Sequence, residues 1–177
     1  MATNLRFVKE FTFNQWGGAT FFAIDECFTD AFDVYYVALN KVDGNLNYPN
    51  YMRLLDSSGN IISDSEYAWV TTQMTHSGAY SELKSANTTN LNYVGYSGSG
   101  GTYDDRLDNG GSIYVFNPAN ASAYTNVIAQ VASMNNSNVL YGYKTVGVHK
   151  SAEAVRGIGF GGHSAYYHAQ IKVFGVA

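Results

Sequence analysis

The closing residues constrain the fold most tightly. Gln170-Ile171-Lys172-Val173-Phe174-Gly175-Val176 alternates polar and apolar side chains up to the penultimate position. A period of two sends successive side chains to opposite faces of an extended chain, so the last segment is expected to lie paired in a sheet. Similar runs recur along the whole length, separated by Gly, Asn and Ser. With 15 Tyr and 10 Phe against 14% charged residues, the composition is that of a β-structure rich in contact surface.

The first strand is expected over residues 7–13, with Phe7, Phe11 and Phe13 on one face and Val8 on the other. Trp16-Gly17-Gly18 predicts a turn before a second run at 19–24. Residues 34–39, Val-Tyr-Tyr-Val-Ala-Leu, are the strongest strand former, apolar or aromatic on both faces as in an inner strand of a two-layer structure. Residues 51–56 lead into Ser57-Ser58-Gly59-Asn60, whose small polar side chains suit a reversing turn before Ile61-Ile62, so a hairpin is expected there. Residues 66–72 form the next strand, with Tyr67, Trp69 and Thr71 on one side.

Between 75 and 111 the pattern weakens, with only a short apolar stretch at 91–94; residues 77–86 offer a brief helix around Ala79, Tyr80, Leu83 and Ala86. Ser97-Gly98-Ser99-Gly100-Gly101 has linker composition, and the region reads as a long exposed loop, where binding residues often sit. Strands resume at 112–117, ended by Pro118, which lacks a ladder donor. Residues 124–132 alternate as a strand, with an amphipathic helix as the competing reading; 139–148, 155–160 and the closing run supply three more.

Nine or ten short strands and no helix of three turns predict an all-β fold: an antiparallel, two-sheet, jelly-roll-like sandwich forming a single domain over 1–177, with one long middle loop region. At 177 residues one core suffices. No apolar run of 18 residues is present for a transmembrane helix, and the first residues show no basic segment followed by an apolar stretch, which predicts no membrane insertion and synthesis in a cytoplasm. Net charge is −4, and none of the 10 Lys and Arg residues forms a run, which argues against nucleic acid as a partner.

Few residues offer chemistry. Of His76, His149, His163 and His168, only the last two are close, and a separation of five gives no ligand pair, so loop and surface histidines are expected. Asp104, Asp105 and Asp108, beside Asn109-Gly110-Gly111, are the metal candidates, because Ca²⁺ takes carboxylate and backbone oxygens from Gly-rich loops; their spacing matches no calcium-binding helix-loop-helix, and no cofactor is otherwise expected. The Ser97–Gly101 run lacks the strand-to-helix context of a nucleophile elbow. Cys27, between carboxylates and aromatics, reads as a small buried hydrophobe whose neighbouring acids raise its pKa. Asp25, Glu26, Asp30, Asp33, Asp64 and Glu66 offer carboxylate pairs, none in a recognisable glycosidase frame. Tyr80, Tyr93, Tyr96 and Tyr103 are the interaction candidates, each a rigid apolar ring with a polar tip suited to sugars or to a protein interface.

Four stretches carry a family resemblance. They are Phe28-Thr29-Asp30-Ala31-Phe32-Asp33-Val34-Tyr35, Gly111-Ser112-Ile113-Tyr114-Val115-Phe116-Asn117-Pro118, Val148-His149-Lys150-Ser151-Ala152-Glu153-Ala154-Val155-Arg156-Gly157-Ile158, and Ile171-Lys172-Val173-Phe174-Gly175-Val176. In this order and spacing, which span nearly the whole chain, they resemble a family of small structural proteins from tailed bacteriophages, marine ones especially. The resemblance implies a non-enzymatic virion component, a β-sandwich that contacts other virion proteins on the capsid or tail, and brings no catalytic positions with it. Few residues precede the first strand and no heptads are present for a fibre shaft, which favours capsid decoration or cement, or a short tail or collar appendage. The expected assembly is a symmetric homo-oligomer, a trimer or another closed form. The alternatives are a module that binds host-surface glycans, as a tail-fibre or receptor-binding domain would, and a glycan-cleaving enzyme.

Overall fold

A computed structural model describes residues 4–44, 48–97, 109–135 and 137–177. Ten strands run through the chain: β1 (Leu5–Ile24), β2 (Val34–Gly44), β3 (Tyr48–Asp56), β4 (Tyr67–Thr75), β5 (Tyr80–Thr88), β6 (Leu91–Ser97), β7 (Asn109–Phe116), β8 (Thr125–Met134), β9 (Leu140–His149) and β10 (Val155–Val176). There is no helix among the described residues.

The pairings are nested. β4 pairs with β5, β3 with β6, β2 with β7 and β1 with β10, all antiparallel. That is a long hairpin rolled on itself, the jelly-roll scheme, here with the β8–β9 hairpin inserted between β7 and β4. The smaller layer runs β1-β10-β3-β6 and the larger runs β1-β10-β2-β7-β8-β9-β4-β5.

β1 and β10 occur in both layers because they are long enough to cross between them. The first half of β10 pairs with β3 from Val155 to Gly161, and the second half pairs with β2 from Tyr166 to Val176. The sequence therefore misleads at two places. Trp16-Gly17-Gly18 does not turn the chain; it lies within β1 where the register with β10 slips between Asn14 and Phe21, an irregularity that bends a strand without ending it. Likewise the runs at 155–160 and 170–176 are one strand of 22 residues.

A bulge near Val8 corrects the assignment of faces in β1. Register shifts between Phe7 and Lys9, so the period of two breaks there. Phe7 points outward, 62% exposed against the edge of Phe174, whereas Phe11 and Phe13 stack on the buried Phe22.

The hairpin expected after β3 forms through Asp56, whose carboxylate accepts the Ser58 and Asn60 amides at 2.8 Å, with Gly59 at φ 85° supplying the left-handed turn residue. Its return arm is a single bridge, Leu55 to Ile61. Residues 77–86 are not helical: they turn into β5, which pairs residue by residue with β4 from Tyr80 opposite Met74 to Ala86 opposite Ala68, and after a register shift places Thr88 opposite Tyr67. The long middle loop is correspondingly shorter than expected, since residues 80–88 and 91–97 are strands; residues 98–108 lie outside the described residues.

The core fills the space between the layers with Tyr35, Val37, Ile113, Val115 and Val127 from the large sheet and Leu54, Leu91, Ile158 and Phe160 from the small one. Some of the buried hydroxyls tie separate elements together. The Tyr67 hydroxyl accepts the Leu54 amide at 3.0 Å and donates to the Ile62 carbonyl at 3.2 Å. Thr145 on β9 donates to the Tyr93 carbonyl on β6 at 2.8 Å, which leaves the Thr71 hydroxyl to donate to Thr145 at 2.5 Å; this chain stitches one sheet to the other. Close approach of the layers also requires Gly147, where a Cβ would meet the Leu91 side chain at 2.5 Å.

Candidate interaction face

The large sheet has two faces, and only one covers the core. Outward positions of its strands line up in rows because antiparallel register places side chains directly opposite one another. One row reads Phe7, Phe174, Tyr36, Tyr114, Ile128, Val146, Val70 and Lys84, each the cross-strand partner of the next. The adjacent row reads Leu5, Val176, Val34, Phe116, Asn126, Val148, Ala68 and Ala86. Across both rows Lys84 is the single charged side chain.

None of these residues is buried, and the first row includes Val146 at 45%, Val70 at 42% and Tyr114 at 40% exposure. Rings pair along it: Phe7 meets Phe174 at 5.9 Å, Phe174 meets Tyr36 at 6.2 Å, and Tyr36 meets Tyr114 at 5.2 Å. On the other side of the first row lies a polar one: Glu10, Lys172, Ala38, Ser112, Gln130, Lys144, Thr72 and Glu82. Shallow hollows of ≈ 470 and ≈ 500 Å³ lie on this face, one over Val70, Val146 and Val148 and the other over Gly110, Ala132 and Gly142, where missing side chains leave the backbone open.

The sequence candidates are scattered by the fold. Tyr80, at the start of β5, is 68% exposed. Tyr93 is no loop residue: it belongs to β6 and packs half-buried against Trp69 and Tyr143, at 5.4 and 5.6 Å, between the sheets. Tyr96 stands opposite Pro49 in β6. Tyr103, Asp104, Asp105 and Asp108 lie outside the described residues. Among the described residues no three His, Cys, Asp or Glu side chains are grouped to hold a metal ion.

Of the acidic residues near the strand ends, Asp25 and Glu26 pair with one arginine. Arg156 grips Asp25 with two nitrogens, at 2.7 and 2.6 Å, and reaches Glu26 at 3.1 Å. The guanidinium holds the Asp25 carboxyl below the usual carboxylate range. Asp30 and Asp33 border a small hollow of ≈ 230 Å³ with Asn117 and Asn120.

Cys27 is fully buried, its thiol donating to the Ile24 carbonyl at 3.3 Å. Burial first of all, with Asp25 adding little, pushes its pKa up to about 12. His149 contradicts the expectation of a surface histidine. It ends β9 at 0% exposure, 4.8 Å from the Tyr67 ring, because its strand position faces inward. Burial holds its pKa below the ordinary value, against the pull of Glu153, whose carboxylate is 3.7 Å from Nε2.

The apolar rows went unmarked in the sequence reading, although their signal is present. Residues 34–39 and 112–117 are apolar on both faces, which reads as burial on both sides; here one side is core and the other is open. No protein-family model matches the chain, and no curated protein or solved structure matches it significantly.

Proposed function

We propose that the chain is a non-enzymatic structural component of a bacteriophage virion, a capsid decoration or cement protein or a short tail or collar appendage, that docks through the outer face of its large sheet. One observation carries the docking: two adjacent rows crossing eight strands with a single charged side chain between them. Monomeric proteins rarely leave so large an apolar surface in contact with water. A rigid sheet presents it without an ordering cost, which suits a contact made for permanence. The virion assignment rests on the resemblance in residues 28–35, 111–118, 148–158 and 171–176.

Mass spectrometry of washed particles of the encoding phage tests this reading, with cryo-electron microscopy to place the protein. The chain is expected in many copies on capsid or tail, and its absence from washed particles removes the virion role. Recognition of a host glycan is a second reading, favoured by Tyr80, which stands exposed opposite Met74 at the margin of the ≈ 500 Å³ hollow. A glycan array on which binding survives Tyr80→Ala would count against it.

A further inference from the structure

We infer that the occupant of this apolar face is a second copy of the same chain, seated face to face about a two-fold axis that runs parallel to the strands between β2 and β7. The inference rests on reading the face as an assembly surface, and it names the partner and its orientation.

The axis overlaps six strands of each copy, from β1 to β9 in sheet order, and the twelve outward side chains of the two apolar rows on these strands carry no charge and, apart from Asn126, are aliphatic or aromatic. A second copy presents the same two rows, so the apolar face closes on itself without a partner of special shape.

Charge separates the possible axes. A two-fold parallel to the strands lays each row on its own counterpart, apolar on apolar and polar on polar; an axis along the first row would lay the polar row onto the second apolar one, and an axis midway between the two apolar rows would take the polar row off its own counterpart. Placed between β2 and β7, it exchanges β1 with β9, β10 with β8, and β2 with β7 in the sheet order. Tyr36 then meets Tyr114 of the other copy at the centre. Glu10 meets Lys144, and Lys172 meets Gln130, in the polar row.

Neighbouring axes match the charges less well: on β7 itself the two-fold would set Lys172 against Lys144, between β7 and β8 it would set Glu10 against Glu82, and on β2 it would set Glu10 against Gln130 and leave Lys144 without a counterpart. Lys144 has no carboxylate partner within the chain among the described residues. Strands related by such an axis lie aligned across the contact, the arrangement in which two sheets commonly pack face to face.

Sedimentation velocity of the full chain from micromolar to hundreds of micromolar tests the inference. Wild type is expected to be a dimer at the upper end. Tyr114→Lys and Val146→Lys, both at exposed positions, are expected to give folded monomers with far-ultraviolet spectra like wild type. Glu10→Lys and Lys144→Glu should each weaken dimerisation by about ten-fold in Kd or more, with the double exchange recovering most of the loss. A wild-type monomer throughout, a dimer that survives both lysine substitutions, a trimer or larger ring, or no recovery in the double exchange would overturn it. A wild-type monomer whose Tyr114 is nonetheless shielded in purified particles would refute the homotypic contact while leaving the assembly reading in place.

Discussion

The inner and outer faces of the large sheet are built from adjacent residues of the same strands, yet the fold uses only one. Tyr35, Val115 and Val127 point into the core and are fully buried; their neighbours Tyr36, Tyr114 and Ile128 point out with comparable apolar bulk and stay partly exposed. Folding needs one apolar face per sheet, and the usual second face of an antiparallel sheet is polar. An apolar second face is therefore surplus to folding, and this is why we read it as a contact surface.

Truncating matched residues on the two faces should separate these roles most sharply. Ile113→Ala, in the centre of the core, is expected to cost about 2–5 kcal/mol, whereas Ile128→Ala on the open face should cost about 1 kcal/mol or less in the monomer. Chemical denaturation measured at low protein concentration makes the comparison, and equal losses on both faces would erase the distinction.

The stitch between the sheets is the next test of the inner face. Thr145→Val keeps the shape but leaves the Tyr93 carbonyl and the Thr71 hydroxyl without their partner. A loss of about 1–3 kcal/mol is expected. Thr72→Val, in the polar outer row of the neighbouring strand, should change stability by about 0.5 kcal/mol or less.

His149 adds a pH dependence that belongs to the inner face alone. Its folded pKa lies below the unfolded value near 6.5, so the unfolded chain takes up the proton first. Its contribution is thus fully present above pH 6.5 and is lost as pH falls from there through the lower folded value, with a slope of at most about 1.4 kcal/mol per pH unit. Glu153, Glu66 and Asp64, the acids whose charges favour the protonated ring, temper the loss. In His149→Phe the extra slope between pH 7 and pH 5 should disappear; an unchanged slope would assign it to other groups.

The smallest effect is expected at the rim. Asp25→Asn breaks the two-pronged contact with Arg156, but both side chains are substantially exposed, so the loss should be about 1 kcal/mol or less and should shrink further in high salt. Thermal melts at low and high salt measure it.

Local pattern carried the sandwich, because period-two alternation survives wherever one face is core: Tyr67, Trp69 and Thr71 point inward as their spacing demands, and so do Thr125, Val127, Ala129 and Val131. It failed where a strand has other work. β5 reads as loop or helix because an edge strand needs few apolar residues, and its Ser, Glu, Lys and Asn are the side chains that protect an edge. The length of β1 and β10 was hidden because Gly161 and Gly162, like Gly17 and Gly18, resemble turn signals, whereas here they fall within strands that pass from one layer to the other. The bulge beyond Phe7 leaves no mark in composition at all. The open face was the least legible feature, since adjacent rows arise only when eight separate strands come into register.

Hydroxyl-radical footprinting of the wild-type chain across a dilution series tests the two-face account most directly, with Tyr36, Tyr114 and Phe174 as outer reporters and Tyr35 as the inner one. The account predicts that Tyr35 stays protected at every concentration, while the three outer rings are shielded in concentrated protein and become reactive on dilution. Outer rings that react equally at all concentrations would contradict it.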